Sequence, residues 1–166
     1  MNLKNGLNPL VNKNTNILVL GSFPGKSSLS SQKYYSNDEN IFWDVMFKFS
    51  KNTPVASYRK RVKMIREQGV GIWNLIKTCI RKGSLDKDIK QYKLNDLKHF
   101  LSKHKSISTI ILNGGKAKEI YYKHYRSDFG VEIYCLPSTS SRNTINKNKL
   151  IEKWVITLLK NTNNNK

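Results

Sequence analysis

Four short apolar runs, each rich in β-branched residues, constrain this 166-residue chain more than any other feature. They lie at residues 16–20 (N-I-L-V-L), 70–75 (V-G-I-W-N-L), 107–112 (I-S-T-I-I-L) and 131–136 (V-E-I-Y-C-L). A strand with one wet face alternates polar and apolar residues, so unbroken apolarity of this length predicts strands covered on both faces, as in a parallel sheet. Between the runs lie helical patterns. Phe42, Val45, Met46 and Phe49 recur at helical spacing, and Ser36-Asn37-Asp38-Glu39 has the form of a capping box opening that helix. A basic helix is predicted over 57–68, closed by Gly69, with further helices over 95–104, 115–125 and 148–160. The alternation predicts an α/β three-layer sandwich, with a mainly parallel four-stranded sheet flanked by helices. A single domain over 1–160 is expected, followed by a disordered polar tail at 161–166.

The balance of 30 Lys+Arg against 11 Asp+Glu, a formal charge of +19, points to a polyanionic partner. Nucleic acid is the leading candidate and an anionic membrane surface the second. Lys and Asn enrichment from an AT-rich genome would produce part of the same excess. Residues 1–15 are polar, with no apolar segment of signal-peptide type, and no stretch has the length of a membrane-spanning helix. A soluble, cytoplasmic, monomeric protein is therefore expected. Cys79 and Cys135 stand 56 positions apart with no nearby histidine. They read as plain buried thiols, and neither a zinc site nor an iron–sulfur cluster is expected. No cofactor is implied.

In open parallel sheets ligands bind beyond the carboxyl ends of the strands, so the segments following each run matter most. They read Gly21-Ser22-Phe23-Pro24-Gly25, then Trp73-Asn74 within the second run, then Asn113-Gly114-Gly115, then Pro137-Ser138-Thr139-Ser140-Ser141-Arg142-Asn143. The first of these is glycine-rich, but it lacks the spacing of a nucleotide-binding P-loop.

These segments, taken in order, resemble the hypoxanthine-DNA (DNA-deoxyinosine) glycosylases, a branch of the uracil-DNA glycosylase superfamily. The resemblance is carried by Gly21-Ser22-Phe23-Pro24-Gly25 with Ser28-Leu29, and by Tyr34-Tyr35 followed by Asn40-Ile41-Phe42-Trp43. Arg81-Lys82-Gly83-Ser84-Leu85-Asp86 with Ile89, Asn95-Asp96, Asn113-Gly114 with Ala117, and Leu136-Pro137-Ser138-Thr139-Ser140 extend it over nearly the whole domain. Two segments differ from the family pattern. Ser36-Asn37-Asp38-Glu39 replaces an A-H-P-R-like stretch, and Ser141-Arg142 replaces Pro-Ala before Asn143.

The resemblance implies a monofunctional glycosylase of base-excision repair that flips a deaminated base out of DNA and hydrolyses its N-glycosidic bond. Uracil-removing relatives place a polar, water-positioning residue where Phe23 stands here. A phenyl ring cannot orient water, so Phe23 is expected to stack on the base, and the polar role passes by resemblance to Asn40. Read from its position alone, Asn40 would simply brace the following helix. Asn74 and Asn113 are the candidate base readers, Asn113 being equally a turn residue before two glycines. Gly21 and Ser22 join the base-binding set, glycine permitting close approach of the backbone. Gly25, Ser138, Thr139, Ser140, Ser141 and Arg142 are expected to hold the DNA backbone. An asparagine side chain matches the O6 acceptor and N1–H donor of hypoxanthine, and equally O4 and N3–H of uracil. Hydrogen-bond pattern therefore leaves uracil open as the target, a uracil- or mismatch-specific glycosylase stays open as the activity, and the two departures leave open a non-catalytic DNA-binding protein of the same fold. The basic residues Arg59, Lys60, Arg61, Lys63 and Arg66, and the following tract Lys77, Arg81, Lys82, Lys87 and Lys90, read as solvated faces of which some contact phosphates, none assigned individually, and His99, His104 and His124 as structural or surface residues.

Overall fold

The computed structural model describes residues 2–125 and 129–163. In chain order its first half contains β1 (Leu3–Asn5), β2 (Ile17–Gly21), α1 (Lys26–Ser31), α2 (Phe42–Ser50), α3 (Tyr58–Glu67) and β3 (Val70–Asn74). The second half contains β4 (Ile76–Arg81), β5 (Ile89–Leu94), α4 (Leu97–Lys103), β6 (Thr109–Asn113), α5 (Gly115–His124), β7 (Glu132–Leu136) and α6 (Lys147–Asn163).

The four apolar runs form one sheet in the order β3-β2-β6-β7, with every pairing parallel. Their continuous apolarity is explained by two cores. Ile17 and Val19 point into one, with Phe42, Met46, Ile65 and Trp154 from α2, α3 and α6. Leu18 and Leu20 point into the other, with Phe100, Ala117 and Ile120 from α4 and α5. Successive strand residues thus alternate between two apolar layers, and none of the four residues of β2 from Ile17 to Leu20 is exposed. The three-layer sandwich is the result.

A second, antiparallel sheet, β1-β4-β5, extends the fold beyond the sequence expectation. Lys77, Arg81 and Lys90, which read as part of a solvated basic tract, lie on its strands. Local charge concealed the strand pattern here. Three boundaries also differ. Ile41, which bonds through no side chain, stands at the start of α2 in place of the expected capping box. The Asp96 side chain, not Asn95, caps α4 by accepting from His99 N at 2.9 Å. The last helix absorbs the start of the expected tail: Asn161 is buried, accepting from Thr109 Oγ1 at 3.3 Å and donating to Thr157 O at 2.8 Å. A polar residue one turn beyond Leu158 finds partners on the helix and the sheet, so composition alone misplaced it; residues 164–166 lie outside the described residues. Cys79 is buried and Cys135 only half-buried, and both are free thiols.

The topology locates the site. From β2 the chain first crosses to β3 on one side; β6 later pairs on the other. The carboxyl end of β2 is therefore a switch point, where flanking connections depart in opposite directions and leave a crevice. Gly21 sits there. Among the described residues, no helix is long and apolar enough to cross a membrane.

Candidate active site

A cavity of about 670 Å³ opens over this switch point, within the range of small-ligand pockets. Every candidate residue named from the sequence lines it: Gly21, Ser22, Phe23, Gly25, Asn40, Asn74, Asn113, Ser138, Thr139, Ser140, Ser141 and Arg142. Their roles in the architecture differ sharply.

Three strand ends form the floor. Gly21 pairs in register with Asn74, while Leu20 pairs with Leu112, so Asn74, Gly21 and Asn113 stand in one row across the sheet. A Cβ on Gly21 would lie 3.0 Å from Asn74 Nδ2 and 3.9 Å from the Tyr35 hydroxyl, so the missing side chain leaves room for both. Asn74 is buried, and its carboxamide oxygen has no hydrogen-bond partner among the described residues. Its backbone carbonyl is fixed by Asn95 Nδ2 at 2.8 Å. An unpaired buried acceptor is costly and uncommon in folded proteins.

Asn113 is fully engaged. Its Nδ2 donates to the Tyr35 hydroxyl at 3.1 Å and to Thr139 Oγ1 at 3.0 Å, and its Oδ1 accepts from Thr139 N at 3.0 Å. Asn113 thus ties the loop after β7 to the sheet and has no donor left over. Thr139 is equally committed: it is buried, and its carbonyl accepts from Ile41 N at 3.0 Å. It braces the wall, and its hydroxyl, which accepts from Asn113, lies buried. Ser138 and Ser140 differ in being only half-buried; each hydroxyl accepts from a backbone N–H, from Ser140 N at 3.2 Å and Arg142 N at 3.4 Å, and keeps its proton to donate. Ser141 and Arg142 are exposed at the rim. Trp154 Nε1, donating to Pro137 O at 3.0 Å, anchors the loop from behind.

Asn40 stands half-buried at the mouth, and its Oδ1 accepts from Phe42 N at 3.0 Å. The brace role and a polar role coexist, since a carbonyl oxygen has a second lone pair and the NH2 remains. Tyr35 adopts φ +52°, a left-handed conformation disfavoured for aromatic residues, and stacks on Phe42 with ring centroids 3.9 Å apart. Burial pushes its phenol up to about 12, opposed by the Asn113 hydrogen bond.

The first-motif loop is held by a segment to which sequence reasoning assigned no role. Arg81 is buried, lies 5.0 Å over the Phe23 ring and donates through Nη2 to Pro24 O. Its Nε and Nη1 have no partner among the described residues, and burial lowers its pKa, against the raising influence of Cys79, Asp86 and Asp88. Ser22 Oγ donates to Asp86 Oδ1 at 2.7 Å, and Lys26 N donates to Ser84 Oγ at 2.9 Å. The Ser22 hydroxyl therefore gives its proton to Asp86 and keeps only its lone pairs. One face of Phe23 is covered by the guanidinium. Arg81, Ser84 and Asp86 belong to one sequence block, and a charged residue at its head was the available signal.

Comparison with known proteins bears on this geometry. Residues 9–159 match the family model of the uracil DNA glycosylase superfamily. The chain belongs to that superfamily. A hypoxanthine DNA glycosylase from Methanosarcina acetivorans is 32% identical over 142 residues, covering 85% of this chain and 89% of that protein. Its counterpart from Methanosarcina barkeri is 28% identical over 141 residues, covering 84% and 88%. The solution NMR structure of a candidate uracil DNA glycosylase from M. acetivorans superposes with a TM-score of 0.84 at 29% identity, covering 96% of this chain and 98% of that one. In this superfamily member the cavity at the switch point is thus the place to seek the glycosylase chemistry.

Proposed function

We propose that this DNA glycosylase excises hypoxanthine from deoxyinosine in DNA, acting as a monomer without a cofactor and leaving the abasic strand intact. The observation that carries the reading is the buried Asn74 carboxamide on the cavity floor, its Nδ2 beside Gly21 and its oxygen unpaired among the described residues. Hypoxanthine supplies what that amide lacks: N1–H donates to Oδ1 while O6 accepts from Nδ2. Adenine, with acceptor and donor exchanged, would set like against like and leave buried groups unpaired. Both Methanosarcina relatives carry the name hypoxanthine DNA glycosylase.

Cleavage places positive charge on the sugar and negative charge on the departing base, and it needs a positioned water. Asn40 holds the water through its remaining lone pair and NH2, without acting as a strong base. Phe23 forms an apolar wall against the extruded base. The hydroxyls of Ser138 and Ser140, the Gly25 backbone, Ser141 and Arg142 grip the flanking phosphates, which suits the charge of +19. Lys26 and Lys87 reach the rim and are exposed.

The test is release of free hypoxanthine from a duplex with a single deoxyinosine, beside duplexes differing only in carrying deoxyuridine or adenine there. Hypoxanthine is expected fastest, with adenine untouched. Asn40→Ala is expected to slow release roughly 100- to 1,000-fold. Undiminished release in that variant removes Asn40 from the reaction, and faster release of uracil replaces hypoxanthine as the substrate.

A further inference from the structure

The proposed mechanism leaves one group at the cavity floor without a task. Tyr35 lines the cavity in a left-handed conformation, φ +52°, that is disfavoured for a non-glycine residue. Stacking on Phe42 and the hydrogen bond from Asn113 hold it there. A phenol has one proton and two lone-pair sites, and Asn113 occupies a lone pair. No described residue accepts the phenolic proton. The hydroxyl lies 3.9 Å from the point above Gly21 that Asn74 Nδ2 approaches to 3.0 Å, so the two groups flank the same spot. None of His99, His104 and His124 lines the cavity, and its lysines, Lys26 and Lys87, stand exposed at the rim. Arg142, the remaining cation of the lining, is likewise exposed at the rim, so among the described residues the departing base has no cationic donor on the floor.

We propose that the Tyr35 hydroxyl donates a hydrogen bond to the departing base and is a catalytic residue of the glycosylase reaction; the assignment rests on the cavity being the glycosylase site proposed for it. As the C1′–N9 bond breaks, its electron pair passes to the purine and spreads over the ring nitrogens and O6. Water oxygen closes on C1′ and releases a proton, which ends on the base by way of solvent, giving abasic sugar and neutral hypoxanthine. Tyr35 keeps its own proton throughout. The donor is preorganised by the fold, because ring and hydroxyl are already fixed before the charge develops. Burial keeps the phenol neutral at physiological pH, so the proton is always present.

Tyr35→Phe retains the ring, its stack and the backbone and removes only the hydroxyl. Single-turnover release is expected to fall about 100-fold, as when one preorganised donor is lost. Affinity for a duplex carrying a non-cleavable 2′-fluoro-deoxyinosine is expected to stay close to that of the parent protein, and the thermal midpoint to drop only slightly, because one Asn113 N–H loses its acceptor. Replacing Tyr35 by 3,5-difluorotyrosine is expected to retain activity at neutral pH and bring an alkaline loss of rate to lower pH, since a more acidic phenol gives up its proton sooner. Parent-like rates in Tyr35→Phe overturn the proposal. So does a rate loss matched by equal losses of affinity and stability, and so does an unchanged pH profile with difluorotyrosine. The comparison is made on whichever base the parent protein releases from deoxyinosine, deoxyuridine and deoxyxanthosine duplexes. Release of a base other than hypoxanthine overturns the substrate reading alone, and release of none overturns both.

Discussion

Asn74 and Asn113 stand on either side of Gly21 in one row of the parallel sheet, both at strand ends and both lining the cavity. Their side chains have opposite fates. Every polar atom of the Asn113 amide is bonded within the protein, whereas the Asn74 side-chain oxygen is buried with no partner among the described residues. The difference comes from the neighbours that each strand end meets. Beside Asn113 runs β7, whose exit loop presents Thr139 to the amide. Beside Asn74 the chain turns into β4, and Asn95 bonds only the Asn74 backbone. The fold therefore fixes the peptide at Asn74 and leaves its amide oxygen unpaired. One asparagine builds the wall, and the other is available to a ligand.

The contrast breaks most easily at Asn74. Asn74→Ala removes the proposed reader, and release of hypoxanthine is expected to fall about 1,000- to 10,000-fold in kcat/KM, as for sites built to hydrogen-bond a substrate. Because the oxygen has no partner among the described residues, its removal also ends a desolvation cost, so the thermal midpoint is expected to hold or rise. Calorimetry beside the glycosylase assay checks both. A variant that loses stability along with activity would make Asn74 a structural residue like its neighbour.

Asn113→Ala should show the reverse balance. Removing the amide orphans Thr139 N–H and frees the loop after β7, and a loss of about 2–3 kcal/mol in unfolding free energy is expected from urea titration. Activity is expected to fall only about tenfold, through misplacement of the loop and of Tyr35. A loss as large as that of Asn74→Ala would mean that Asn113 also touches the base.

Gly21→Ala tests the space between them. The new Cβ would sit 3.0 Å from Asn74 Nδ2, a contact that shifts the amide by a few tenths of an ångström without touching Asn113. A roughly tenfold loss of activity is expected from that displacement, with little change in stability. Equal activity in the variant would show that the amide position is not critical.

This contrast also defines how far the sequence was legible. The four runs could be read because burial on both faces leaves no polar residue to break them, and the strand ends therefore pointed to the crevice. Asn74 and Asn113 were indistinguishable as letters. Their difference depends on Thr139 and Asn95, which lie 26 and 21 positions away along the chain. The same distance effect hid the grip of Asp86 on Ser22, 64 positions apart, and of Arg81 on Pro24, 57 apart. Local reading also mistook β4 and β5 for a charged surface, because the core that claims Ile76, Cys79 and Ile89 is assembled by other elements. Asn161 shows the reverse error, a polar residue assigned to solvent that a distant threonine on β6 holds inside.

The smallest expected effect lies in alkaline solution and again separates the two sides of Gly21. Tyr35, on the Asn113 side, has its phenol raised by burial from 10.0 to about 12, with the Asn113 hydrogen bond pulling the other way. A folded-state value above the unfolded one stabilises the protein fully below pH 10 and ever less as pH climbs towards 12, because the unfolded chain gives up that proton first. Burial raises Tyr34 and Tyr125 still further, so they lengthen the same decline. Urea midpoints are expected to begin falling near pH 10, less deeply in Tyr35→Phe. In Asn113→Ala the decline deepens, since the bond that favours the phenolate is gone. Asn74→Ala should follow the parent curve, because no hydrogen bond joins Asn74 to that ring; a steeper curve there would show that the two sides of the floor are coupled through Gly21.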